Sequence, residues 1–155
     1  MWLRRCELGL LRMRVLGVDF GTRRIGLALS DDTAMLATPW QTVEAAGTPK
    51  ASAGLVAELM ARAANGDDPV IIGTIVVGLP KRLNGDDNDQ TAPARAFAGA
   101  LAQATGIDVR LQDERLTSHE AESRLAVREK DWRRRKAKLD AAAAAIILQD
   151  YLDRA

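Results

Sequence analysis

One cysteine in 155 residues excludes an internal disulfide, and a single histidine leaves no Cys/His spacing of the kind that binds zinc. Both scarcities suit a reducing cytoplasm. Charge of one sign is also missing in excess. The formal net charge is +1, so any attraction for nucleic acid must come from a local patch and not from the chain as a whole. No apolar run reaches the ~18 residues of a membrane span, which speaks against a membrane partner. There is no internal repeat and no low-complexity linker. A chain of 155 residues fits one domain and can bury a sizeable core without metal or disulfide support.

Residues 1–12 hold Arg4, Arg5, the lone Cys6 and scattered leucines ahead of a second methionine, Met13. A basic start with leucines hints at a signal peptide, but Glu7 and Arg12 interrupt the apolar stretch and no small-residue cleavage site follows. The expectation is a dispensable extension at 1–12 and a single domain over 13–155.

Asp19 is the position that carries most information. It follows the apolar run Val15-Leu16-Gly17-Val18 and immediately precedes Phe20-Gly21-Thr22. The run reads as a central strand, Arg14 to Phe20, covered on both faces. A charge at the end of such a strand is costly to bury without a cation partner, unless it lies at an open sheet edge where ligands bind. Taken alone, Asp-x-Gly-Thr fits equally an Asp that hydrogen-bonds its own turn.

After a turn at Gly21–Arg24, a second strand is predicted over Ile25–Ser30 and a short third over Ala34–Ala37, ending before Thr38-Pro39. Lys50–Ala64 reads as a helix with Leu55 and Leu59 at helical spacing. Ile75-Val76-Val77 marks a buried strand ending at Gly78-Leu79-Pro80, and a polar loop follows at Asn84-Gly85-Asp86-Asp87. Thr91 is a plausible cap for a helix with Pro93 in its first turn and Phe97 and Leu101 on one face. Ile107–Asp113 gives the last strand. Thr117-Ser118-His119-Glu120 has the form of a capping box, which favours a capping or solvated role for His119 over general-base chemistry. Leu139–Leu152 makes a final helix with Leu139, Ala142, Ile146 and Ile147 toward the core. The order βββαβαβαα predicts an α/β fold, one mixed five-stranded sheet with its first three strands antiparallel and helices on both faces.

On this plan three acids can converge. Asp19 ends the first strand, Glu114 follows the last, and Asp140 opens the final helix beside the small residues Ala141–Ala145, which permit close approach to the sheet. Carboxylates gathered this way repel one another unless a dication balances them, and neutralising one relieves that repulsion. Their hard oxygens suit Mg²⁺ or Mn²⁺. Two such ions about 3.5–4 Å apart would support phosphodiester cleavage. Alternation from Ile107 does not choose between Asp113 and Glu114. Glu114 also reads as a surface partner of Arg115, and Asp140 as a residue favoured at a helix N-terminus.

Arg128 to Lys138 gathers seven basic residues, Arg133, Arg134, Arg135 and Lys136 among them, against Glu129 and Asp131. Such a run is either a solvated face or a phosphate-gathering patch next to Asp140. Trp132 fits base stacking and anchoring to the core alike.

The chain resembles the YqgF family, RNase H-like proteins described as Holliday-junction-resolvase-like and as candidate pre-16S rRNA nucleases. The resemblance rests on Gly17-Val18-Asp19-Phe20-Gly21-Thr22-Arg23-Arg24-Ile25-Gly26, Val76-Val77-Gly78-Leu79-Pro80, Asp113-Glu114-Arg115-Leu116-Thr117-Ser118 and Asp140 through Leu152. It implies an RNase H-like fold, a Mg²⁺- or Mn²⁺-dependent nuclease acting on structured RNA, and a cytoplasmic role in maturing ribosomal precursor particles. It also selects Asp19, Glu114 and Asp140 as the catalytic, metal-binding acids. Residues expected to meet phosphates are Arg23, Arg24, Lys81, Asn84, Arg115 and Arg133–Lys136; Asn84 stands where many members have an acid. Cleavage of branched DNA as a junction resolvase is the near alternative, and a nonhydrolytic RNA-binding factor is a third reading. An actin-like sugar kinase or ATPase shares Asp-x-Gly-Thr, but needs two such domains and a second phosphate motif, for which this chain is short.

Overall fold

The computed structural model describes residues 13–114 and 132–154, with the backbone alone over 132–137. The extension 1–12, Arg115, the capping box at 117–120 and the helix expected after it lie outside the described residues.

Strand β1 (Arg14–Phe20) alternates cleanly: Leu16, Val18 and Phe20 are buried on one face, and Val15, Gly17 and Asp19 occupy the other. Strand β2 (Arg24–Ser30) returns antiparallel, setting Gly26 opposite Asp19. Strand β3 (Ala37–Glu44) pairs antiparallel with β2. It starts where the sequence reading ended it and runs through Pro39. Two causes account for the shift. Asp31 closes residues 31–36 into a loop, its carboxylate accepting from Thr33 Oγ1 and from the Met35 and Leu36 amides, so Ala34–Leu36 are unavailable to a strand. Pro39, which cannot donate to a ladder, is tolerated because β3 is the sheet edge and its register slips opposite Leu27/Ala28.

Helix α1 (Pro49–Ala64) is capped by Thr48, which accepts from the Ala51 amide at 3.1 Å, with proline at the first helical position. Its buried stripe is Ser52, Ala53, Val56 and Met60, while Leu55 faces solvent. Strand β4 (Ile72–Leu79) lies parallel to β1. Helix α2 (Thr91–Thr105) buries Phe97 and Leu101 as the spacing predicts, and ends at Gly106 in the left-handed region. Thr91 is its first helical residue and not its cap: the hydroxyl donates to the Pro80 carbonyl at 2.5 Å and accepts from the Asn88 amide, pinning the loop after β4. Strand β5 (Asp108–Asp113) is parallel to β4. Helix α3 (Trp132–Arg154) begins inside the basic run, ahead of the expected Leu139.

The sheet order is β3-β2-β1-β4-β5. Helices α1 and α2 cover one face over Leu16, Val18, Ile25, Leu27, Ile75 and Val77, where the Phe20 and Phe97 rings stack at 4.6 Å. Helix α3 covers the other, packing Ala144, Ala145, Ile147 and Leu148 on Ala28 and Val76. Its buried face matches the predicted one at Ile147 and is otherwise turned from it: Ala141, Ala144 and Leu148 are buried, whereas Leu139, Ala142 and Ile146 are only partly so. The mixed five-stranded sheet with helices on both faces is the predicted α/β plan. Among the described residues no helix is long and apolar enough to cross a membrane.

Candidate active site

Parallel pairing of β1, β4 and β5 brings their C-terminal ends to one edge of the sheet. Asp19 arrives there on β1. Glu114 arrives just past β5, its amide donating to the Leu79 carbonyl at 3.3 Å. Gln112, two residues earlier, reaches α3 by donating to Asp150 Oδ2. Strand parity therefore puts Glu114 on the α3 face, the face of Asp19, and leaves Asp113 exposed on the other.

Three glycines shape the floor beneath α3. A Cβ at Gly17 would come within 2.6 Å of Leu148 Cβ. One at Gly26 would overlap the Asp140 carbonyl, and one at Gly78 would strike Glu114 Oε2 and come 2.6 Å from Ile147 Cδ1. Without side chains at these points the helix backbone settles onto β1 and β2, and the Glu114 carboxyl folds over β4 toward Asp19. Gly26 and Gly78 are site residues that the period of strands and helices alone does not single out. Their signal was available, since glycine inside a strand marks close approach of another backbone or ligand.

Asp19 and Glu114 are in direct contact. Burial is the main cause that pushes Glu114 up to about 9, with the charges of Asp19 and Asp113 adding to it. Burial likewise raises Asp19 to about 6; the hydrogen bond from Glu114 lowers it and the charge of Asp140 raises it. Two buried carboxyls in contact resist ionising together, so the pair retains a shared proton toward neutral pH. Glu114 Oε2 is buried and has no hydrogen-bond partner among the described residues. An orphaned carboxyl oxygen beside a second carboxyl group is, once the shared proton leaves, a donor set that a hard divalent ion fits.

Asp140 lies close enough to raise Asp19, but its carboxylate is turned to Arg24, with Nε to Oδ2 at 2.6 Å. Among the described residues no three acidic, histidine or cysteine side chains stand close enough, as arranged, to hold one ion. The structure thus joins Asp19 to Glu114 and places Asp140 near them, paired with Arg24.

The other predicted contacts are dispersed. Arg23 is exposed beside Arg24. Lys81 Nζ lies 3.8 Å from Asp87. Asn84 shapes its own turn, accepting from the Asp86 amide and donating to its carboxylate. Arg133–Lys136 follow the first turns of α3 by backbone course alone, and Arg115 is outside the described residues.

A mixed sheet of this order, with a carboxyl pair at the ends of its parallel strands and a helix laid across them, defines the RNase H-like class. In fold the chain is similar to Thermus thermophilus RuvC solved with a Holliday junction substrate, at TM-score 0.51 and 17% identity over 92% of this chain and 95% of that one. The RuvX family, described as Holliday junction resolvase, matches residues 13–154, and the chain belongs to it. That family membership makes it a nuclease. Curated relatives named "Putative pre-16S rRNA nuclease" include one from Anaeromyxobacter sp. (strain Fw109-5), 43% identical over 91% of this chain and 97% of its own. Another, from Pelotomaculum thermopropionicum, is 40% identical over 91% of this chain and 87% of its own.

Proposed function

We propose that the chain is a divalent-metal-dependent endonuclease of structured RNA, with precursor 16S rRNA as its substrate, working in the cytoplasm as a single domain over residues 13–155. The observation that carries this reading is the Asp19–Glu114 pair, which keeps a proton between two carboxyls and leaves Oε2 without a partner among the described residues. Such a pair is poorly stabilised on its own and well stabilised by a cation. Asp19, Glu114 and Asp140 would hold Mg²⁺ or Mn²⁺, which when bound supplies Lewis-acid polarisation of the phosphate and an activated water. Glu114 would have to be ionised to serve as a ligand, so loading would be coupled to loss of the proton held by the pair. The basic turns at Arg133–Lys136 gather phosphates toward the sheet edge. The names of the curated relatives favour RNA, and the family description favours branched DNA as the second reading.

The deciding experiment offers the purified chain a precursor 16S rRNA fragment and a four-way DNA junction, each with Mg²⁺, Mn²⁺ or chelator. Metal-dependent RNA cleavage supports the proposal; cleavage of the junction alone supports the second reading. Replacing Arg133, Arg134 and Arg135 together is expected to flatten the salt dependence of RNA binding, each lost contact removing roughly 0.7 from the log-log slope. An unchanged slope returns the run to a solvated face.

A further inference from the structure

Arg24 leads β2 with its side chain on the same face as Gly26 and Ala28, beneath α3. Its partner cannot withdraw. The carbonyl of Asp140 rests where a Cβ of residue 26 would lie, and Ala141 and Ala144 are buried against the sheet, so only the carboxylate itself can turn. That carboxylate belongs to the third acid of the proposed site, and Oδ2 is engaged by Arg24 at 2.6 Å. A guanidinium and a divalent ion sharing one carboxylate repel each other at short range. The pair is also partly open to solvent, with side chains 34% and 23% exposed, so parting it costs little.

We propose that Arg24 is an exchange residue. With no cation bound it neutralises Asp140; when a cation takes Asp140, Arg24 is released toward the sheet edge and clamps a phosphate oxygen of the nucleic acid. The planar fork of arginine suits both partners, carboxylate and phosphate, whereas a lysine would serve each as a point charge. Metal loading and substrate grip are thereby linked through one side chain. This inference rests on the metal-dependent nuclease reading.

The test compares Mn²⁺ affinity of the intact chain without nucleic acid, read from the electron paramagnetic resonance signal of free Mn²⁺, for the parent and for Arg24→Gln. Removing the competing guanidinium is expected to tighten Mn²⁺ by about threefold to tenfold. The same variant is expected to lose on the order of 10²-fold in kcat on structured RNA, with a smaller change in KM. A merely structural arginine would not tighten the ion when removed. In an Asp140→Asn background Arg24→Gln is expected to leave Mn²⁺ affinity unchanged, because the shared carboxylate is gone. Equal or weaker Mn²⁺ binding by folded Arg24→Gln overturns the proposal. If circular dichroism shows that variant unfolded, Arg24→Met, which keeps the apolar stem and drops the charge, decides: tighter Mn²⁺ supports the exchange, and equal or weaker binding overturns it. A parent chain that binds Mn²⁺ but cleaves nothing with it refutes the nuclease reading and the phosphate clamp, while the affinity comparison still decides the competition at Asp140.

Discussion

Asp19 and Glu114 meet over Gly78, the one carried by β1, the other following β5, with β4 running between them. The missing side chain on the middle strand is what allows carboxyls from non-adjacent strands to share a proton. Both bind that proton more tightly in the folded chain than in the unfolded one.

A stability profile follows from this pair. Below the ordinary values of 3.8 and 4.5 its contribution is fully present; it falls as pH rises through about 6 for Asp19 and on toward about 9 for Glu114. Each proton contributes a slope of at most about 1.4 kcal/mol per pH unit. Thermal melts in chelator are expected to decline steadily between pH 5 and pH 9, and millimolar Mg²⁺ is expected to restore most of the loss at the alkaline end. A flat profile in chelator would mean the carboxyls do not share a proton.

The two aspartates are expected to part company on neutralisation. Asp19→Asn abolishes cleavage and leaves the chelated protein as stable or more so, since a buried charge near Asp140 is replaced by a neutral amide whose oxygen can still accept from Glu114. Asp140→Asn also abolishes cleavage, but its melting temperature falls by the equivalent of under about 1 kcal/mol, because Arg24 loses its partner. From sequence alone both substitutions point to relief of repulsion; the ion pair reverses the second. Full activity in either variant would remove that residue from the metal site.

What could be read from the sequence depended on how local its cause was. Asp19 stood out because a charge closes an apolar strand at a glycine turn, and the order of strands and helices followed from period and punctuation. The third strand was misplaced because Asp31 spends its carboxylate on three nearby groups, a loop whose hydrogen bonds hydropathy does not register. The buried face of α3 was misjudged because Gly17, Gly26 and Gly78 on other strands set where the helix rests. Arg24 and Asp140 are 116 positions apart, and no spacing rule connects them. Alternation could assign Glu114 and Asp113 to opposite faces, but not say which face holds the chemistry until Gln112 was seen to reach α3.

Filling the glycine floor is expected to damage structure and activity in different proportions. At Gly26 the obstacle is the Asp140 backbone, so Gly26→Ala forces the whole helix outward and costs roughly 3 kcal/mol or more. At Gly78 the added methyl meets the end of the Glu114 side chain and the tip of Ile147, both of which can turn. Gly78→Ala is therefore expected to lose less stability, about 1–3 kcal/mol, yet to lose cleavage because Glu114 is pushed off Asp19. Denaturant melts and a single-turnover assay on each variant check the order; a Gly78→Ala chain with parental activity would show that the contact is dispensable.

The final expectation concerns how much metal the free chain can hold. A further acidic ligand from α3 would share the face of Asp140 at residue 143 or 144, and both are alanines buried against the sheet. With Asp140 engaged by Arg24 as well, the free chain offers an ion chiefly the Asp19–Glu114 pair, one member of which carries a proton at neutral pH. Few protein oxygens and a proton to displace mean weak binding until substrate phosphate completes the coordination. Cleavage is therefore expected to be slow, to keep rising into millimolar Mg²⁺, and to be better supported by Mn²⁺. Raising the pH from 6 to 9 is expected to lower the Mg²⁺ needed for half-maximal activity, since each step frees more of the pair. A metal titration at several pH values, with and without saturating RNA, measures this directly, and two ions bound tightly to the free chain would show that another ligand completes the site.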